Sequence, residues 1–162
     1  MSSEKADLAD DPITQWVTFF LENEKYGIQV MQVQEVLRLT DIAPVPGASE
    51  YVMGIINLRG NVVTVIDTRK RFRLPEKDSD DSTRIVIIET ENEQVVGILV
   101  DSVAEVAELR TSEIESAPNL GSDESSRFIQ GVCNKDDELL ILVDVERLLT
   151  DEEWDEVNSN TV

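Results

Sequence analysis

The sequence predicts a mainly β protein: two small β-barrels related by internal duplication, each of about five short strands, with only short helices. Three observations predict it. The apolar residues fall in short runs rich in Val, Ile and Phe, the composition of strands. Nothing between those runs carries the 10–15-residue helical period expected of a parallel sheet whose strands alternate with helices. The chain also repeats itself at an offset of about 70 residues.

The repeat is ordered. Tyr26 to Val36 aligns with Val96 to Val106, keeping the Gly, the Ile, two Val, the Glu and the final Val. Glu22-Asn23-Glu24 recurs as Glu91-Asn92-Glu93, and Gly54-Ile55-Ile56 as Gly131-Val132-Cys133. Val62 to Asp67 recurs as Leu139 to Asp144. Four matches in one order argue for two copies of one unit, about 13–75 and 83–150, joined by an acidic loop at 76–82.

Each copy opens on a strand, Trp16 to Leu21 or Arg84 to Ile88, then turns into a second through Gly27-Ile28 or Gly97-Ile98. Next come valines three apart, Val30, Val33 and Val36 or Val100, Val103 and Val106. That spacing fits a helical turn leading into another strand, and the boundary between the two stays open. A proline turn follows, Ala43 to Gly47 or Ala117-Pro118, and then a hairpin. Its strands are Met53 to Ile56 and Val62 to Ile66 around Asn57-Leu58-Arg59-Gly60-Asn61. The second copy pairs Gly131 to Cys133 with Leu139 to Val143. Asp67 and Asp144 are placed to N-cap short helices, Thr68 to Phe72 and Val145 to Leu149. Thr150-Asp151-Glu152-Glu153 reads as a capping box opening a terminal helix in 151–162, with Trp154 and Val157 for packing. Residues 1–12 read as a disordered acidic N-terminus.

Composition narrows the chemistry. The 162 residues hold 34 acidic and 14 basic side chains, no histidine and one cysteine, for a net charge of -20. Without histidine there is no Ser-His-Asp or Cys-His engine and no histidine metal ligand, and Cys133 alone makes neither a disulfide nor a zinc site. No catalytic residue, cofactor or metal is expected. The longest apolar run, Val95 to Val100, is far short of the ~20 residues that cross a bilayer. Met1 to Asp7 lacks the basic start and apolar centre of a signal peptide, so a cytoplasmic location is expected. The charge is uneven: residues 13–75 carry net +1 and residues 76–150 net -13. Such asymmetry suits a protein meeting different partners with its two halves, although solvated acidic loops and salt adaptation also give excess acid.

Gly54-Ile55-Ile56-Asn57-Leu58-Arg59-Gly60, followed by Val65-Ile66-Asp67-Thr68-Arg69-Lys70-Arg71-Phe72, resembles the CheW family of bacterial chemotaxis coupling proteins. Tyr26-Gly27-Ile28, Val33-Gln34-Glu35-Val36, Pro44-Val45-Pro46, Val96 to Asp101 and Leu140 to Glu146 agree with it. The resemblance implies two intertwined five-stranded SH3-like barrels. It also implies an adaptor that bridges the cytoplasmic tips of transmembrane chemoreceptors (methyl-accepting proteins) to the regulatory domain of the histidine kinase CheA. Self-association in array rings follows from the same likeness, and the membrane is met only through receptors. Carried over by motif, the partner groove is lined by Val33, Glu35, Val36, Gly54, Asn57 and Arg59, with Val100 and Val103 from the second barrel. Arg73 departs from the pattern, standing where many relatives have glycine.

Each of these residues also has a plainer reading: Arg59 as a solvated turn residue, the valines as core, the glycines as backbone geometry. The basic stretch Arg69-Lys70-Arg71 with Arg73 lacks interleaved aromatics, so nucleic acid is not expected and an acidic protein surface suits it better. Two alternatives stay open: a scaffold of the same family serving another histidine kinase, and a phospho-acceptor receiver domain using Asp67.

Overall fold

The computed structural model describes residues 11–116, 127–135 and 137–160. Ala117-Pro118, Asp136 and the first ten residues of the expected disordered N-terminus lie outside them. The first half forms β1 (Ile13–Leu21), β2 (Glu24–Gln29), β3 (Val33–Arg38), β4 (Val52–Leu58), β5 (Asn61–Ile66) and α1 (Thr68–Arg71). The second forms β6 (Arg84–Glu89), β7 (Val95–Val100), β8 (Ser102–Arg110), β9 (Ile129–Lys135), β10 (Glu138–Val143) and α2 (Asp151–Asn160).

Among the described residues, ten strands make two five-stranded sheets, ordered β8-β1-β2-β10-β9 and β3-β6-β7-β5-β4. Each sheet takes strands from both repeats. The two copies interlock through four pairings, antiparallel β1 with β8 and β3 with β6, and parallel β2 with β10 and β5 with β7. The repeat boundary at 76–82 is therefore a boundary in sequence and not between sheets, and the half-chain charge split does not map onto either sheet. A receiver-type parallel sheet with intervening helices is excluded by this order.

The edges of each sheet are drawn together by one short bridge. Ala43, beyond β3, pairs with Ile55 of β4, and Glu115, beyond β8, pairs with Val132 of β9. Gly54 and Gly131, matched in the repeat, do the same job here. A side chain on Gly54 would meet the Ala43 carbonyl oxygen at 2.2 Å, and one on Gly131 the Glu115 oxygen at 2.8 Å. Both sheets are thus curled five-stranded barrels, as expected.

Burial follows the strand period. Trp16, Leu109, Cys133, Leu140 and Leu142 fill the first barrel, and Ile56, Val63, Val65, Ile85 and Ile87 the second. The other faces meet in a larger core, with Phe19, Leu21, Tyr26 and Ile28 from one sheet against Ile66, Val86, Ile88, Val96, Ile98 and Val100 from the other. Helix α2 closes it with Trp154 and Val157. Its capping box forms as read: the Thr150 amide donates to Glu153 Oε1 at 2.7 Å and the Glu153 amide to Thr150 Oγ1 at 3.1 Å. Glu156 then ties the helix to the segment before β4, accepting from Ser49 Oγ at 2.6 Å and the Tyr51 hydroxyl at 3.2 Å. Burial and the nearby Glu153 and Glu156 carboxylates push the Tyr51 phenol up to about 12.

Asp67 caps α1 through the Lys70 amide at 3.1 Å. Asp144 caps a shorter element than expected, a 3-10 turn at Val145–Arg147, accepting from the Glu146 amide at 3.0 Å. After α1, Arg73 adopts φ +58°, a left-handed conformation that glycine takes without cost. Beneath α1 lies an ion network. Arg69, 8% exposed, donates from Nε to Asp101 Oδ1 at 3.0 Å and from Nη1 to the Pro75 carbonyl at 2.6 Å. Its two Nη atoms also reach Glu22 and the second Asp101 oxygen. The Glu22 amide donates to that same oxygen at 2.9 Å.

Candidate functional site

The β4–β5 hairpin turns in two residues, tighter than the five-residue span the sequence suggests. Arg59 and Gly60 take φ +52° and +88°, and both central residues being left-handed is the type I′ pattern that matches strand twist. Asn57 Oδ1 accepts the Gly60 amide at 2.9 Å, bracing the turn from the strand end. The arginine is thereby carried on a rigid tip.

Glu35 meets it from β3. Arg59 Nη1 donates to Glu35 Oε1 at 3.1 Å and Nη2 to Oε2, a two-pronged pair. The guanidinium side chain is 69% exposed and the carboxylate 27%. Hydrogen bonding to Arg59 holds the Glu35 carboxyl below the usual carboxylate range. In the same contact Glu35 raises the Arg59 guanidinium. Geometry, rather than burial, makes this contact: the pair fixes the pose of a cation whose remaining N–H donors face solvent.

A bulge in β3 explains which neighbours share the surface. Val33 lies opposite Ile88, but Glu35 lies opposite Ile87 and Val36 opposite Val86. The extra residue puts Val33 and Val36 on one face, toward the core between the sheets, and turns Glu35 to the barrel side. The spacing of three is thus a bulged strand, preceded in this copy by a short 3-10 turn at Val30–Gln32. The same device recurs in β8, where Val106 lies opposite Val17 and Val103 opposite Phe19.

Of the eight groove residues the sequence nominated, six keep exposed or partly exposed surface. Glu35, Asn57 and Arg59 form the polar tip, and Val36 is 40% exposed. Val33 and Val103 are partly buried and pack against the shared core from opposite sheets. Gly54 and Val100 are corrections. Gly54 is buried against the Ala43 backbone, and Val100, 1% exposed, lies inside the core. Neither has surface to offer a partner.

The basic stretch is a third correction. Arg69 is consumed by its buried network, and Arg71 donates to the Leu148 carbonyl at 2.8 Å and to Glu153 at 3.0 Å. These arginines fasten the core instead of forming a basic face. Val62, by contrast, is a residue that sequence reasoning missed. It is 43% exposed opposite Asn57, on the outer side of β5 while Val63 and Val65 point into the barrel.

Duplication preserved the acid and changed its cation. Glu105, the repeat mate of Glu35, pairs with Lys25 Nζ at 2.5 Å, tethering β8 to β2. That lysine is 11% exposed and also reaches Glu138 at 3.5 Å. The first of these pairs ends on an exposed turn and the second on a strand interior, so the two barrels present different tips.

Among the described residues, no helix is long and apolar enough to cross a membrane. Comparison with known proteins agrees with the architecture. Residues 15–153 match the family model described as CheW-like domain. The chain is 34% identical over 147 residues to chemotaxis protein CheW of Klebsiella aerogenes, covering 90% of this chain and 88% of that protein. It is 37% identical over 136 residues to chemotaxis protein CheW of Bacillus subtilis, covering 84% and 86%. The crystal structure of scaffolding protein TtCheW from Thermoanaerobacter tengcongensis superposes with TM-score 0.80 at 32% identity, covering 88% of this chain and 96% of that one.

Proposed function

The chain belongs to the CheW family of chemotaxis scaffold proteins, and from that premise we propose that it couples the cytoplasmic tips of chemoreceptors to the histidine kinase CheA without catalysing a reaction itself. It works in the cytoplasm, recruited to receptor arrays at the inner face of the membrane, and takes no cofactor. Receptor helices seat along β3 and the β4–β5 tip, where Arg59, Asn57, Glu35, Val33 and Val36 lie, and reach Val103 on β8 of the other sheet. The kinase's regulatory domain and further copies of the adaptor occupy other faces.

The observation that carries this reading is the two-pronged Arg59–Glu35 pair held on an exposed hairpin tip. An arginine oriented by one carboxylate has lost part of its conformational freedom before binding, and its free donors suit carbonyls or carboxylates of a helical partner. Arginines in such settings dominate interfaces. Arg59→Glu is expected to leave the unfolding midpoint near that of the native protein, since the turn's backbone and its Asn57 brace are untouched. Binding to a soluble chemoreceptor cytoplasmic fragment is expected to weaken by about thirtyfold or more, read by titration calorimetry. A folded Arg59→Glu protein that binds the fragment with native affinity rejects this site.

A further inference from the structure

At the ends of β3 and β6, on the strand face that also carries Val36 and Val86, lies an arrangement that folding alone does not favour. Arg38 lies directly opposite Arg84 across the two strands. Like charges at such a position, with Cβ atoms about 5 Å apart, oppose the pairing. The chain has 34 acidic side chains against 14 basic ones. Yet among the described residues neither arginine meets a carboxylate. Among them the Arg84 side chain donates only to the carbonyls of Asp81 at 2.7 Å and Thr83 at 2.9 Å, and the exposed Arg38 side chain makes no hydrogen bond or ion pair. Because the β3 bulge lies before Glu35, Val36 and Arg38 are on the same face, Val36 opposite Val86 and Arg38 opposite Arg84. An exposed valine therefore sits one step along the strand from two cations.

From this juxtaposition we infer that Arg38 and Arg84 anchor an acidic segment of the protein partner, with an apolar side chain of that segment on Val36. The inference rests on the receptor-coupling reading and adds to it the charge of the docking segment: a carboxylate, one strand-step or about one helical turn from an apolar residue. Charge complementarity selects the occupant. Two cations fit one or two carboxylates, whereas a nucleic-acid backbone would be repelled by the chain's net charge of -20. An acidic segment removes the repulsion that the isolated fold tolerates.

The test uses the full chain and a soluble chemoreceptor cytoplasmic fragment, titrated at about 0.1 M and about 1 M NaCl. Arg38→Glu is expected to weaken binding about tenfold at the lower salt, with the gap closing to within about twofold at the higher. Its unfolding midpoint is expected to rise, because an opposite-charge pair replaces a like-charge one. Arg38→Thr should show the same order of effects at smaller size, and it serves if the charge reversal does not fold. Arg59→Glu, run beside them, should lose binding at both salts. Native affinity of both Arg38 variants alongside loss with Arg59→Glu overturns the acidic-anchor inference and leaves the coupling site standing. Native affinity of all three variants overturns the site itself. Binding of duplex DNA that Arg38→Glu abolishes would assign the arginines to nucleic acid and overturn the inference as well.

Discussion

Arg69→Ala is expected to destabilise the protein by about 3 kcal/mol or more, because it leaves Asp101 and Glu22 turned toward each other with their shared cation gone. The arginine is 8% exposed and its guanidinium is committed to Asp101, Glu22 and the Pro75 carbonyl. These partners come from the β1–β2 turn, the β7–β8 junction and the segment after α1, so one side chain holds three separate stretches of chain. Urea unfolding of Arg69→Ala, Asp101→Ala and the double variant checks the claim. The double variant should be less destabilised than the sum of the singles, since removing both partners leaves less unpaired charge. Additive losses would mean that the network contributes only packing.

The same network sets the acid limb of stability. Burial pushes the Asp101 carboxyl up, but the Arg69 hydrogen bond, the Glu22 amide and the charges of Arg69 and Lys77 outweigh it and hold the group below its ordinary value of 3.8. A folded carboxyl depressed in this way stabilises the protein fully above the unfolded value. That contribution is lost as pH falls through about 4 toward the lower folded value. Arg69→Ala should therefore flatten the stability profile below about pH 5, measured by thermal melts across pH 2–7.

The second large effect lies in Gly54. With a side-chain carbon forced to 2.2 Å from the Ala43 oxygen and 2.8 Å from its carbonyl carbon, Gly54→Ala must break the bridge that joins β4 to the chain beyond β3. A loss of about 3 kcal/mol or more is expected, larger than ordinary overpacking because the obstacle is backbone. Gly131→Ala, where the nearest atom is at 2.8 Å, should cost less. Gly60→Ala has open space around it and only φ +88° to bear, about 1–2 kcal/mol. Thermal unfolding of the three variants should rank them in that order. A Gly54→Ala protein as stable as Gly60→Ala would show that the bridge is dispensable.

Much of the architecture could be read from residue order. The duplication, the strand runs, the Asp67 and Asp144 caps and the Thr150–Glu153 box all rest on short-range patterns, and short-range patterns survive in sequence. Exchange of strands between repeats rests on pairing choices between residues far apart in the chain, such as Val65 with Gly97 and Leu140 with Lys25, and no local pattern records it. The bulges hid for a related reason. A period of three reads as a helical turn unless the opposite strand is known, and only that strand reveals the inserted residue in β3 and β8. Val100 and Val36 carry identical side chains at repeat-related stretches, yet one is 1% and the other 40% exposed. Arg69 and Arg38 teach the same lesson for charge: Arg69 and Arg71 of the conspicuous basic stretch turn inward, while Arg38 faces out.

Strand exchange also fixes when the molecule can exist. As the chain leaves the ribosome, β1 and β2 are made first, but β2 gains its outer neighbour only when Leu140 to Leu142 appear, and β1 waits for β8. At typical elongation rates that interval is on the order of ten seconds. Throughout it a nascent hairpin offers both edges, with Phe19, Leu21 and Ile28 still wet. The β3-β6-β7-β5-β4 sheet has all its strands by Val100, whereas the barrel that opens the chain is closed only when β8, β9 and β10 have been made. For this chain the vulnerable period is birth, and chaperone protection during translation matters more than it would for two barrels strung in tandem.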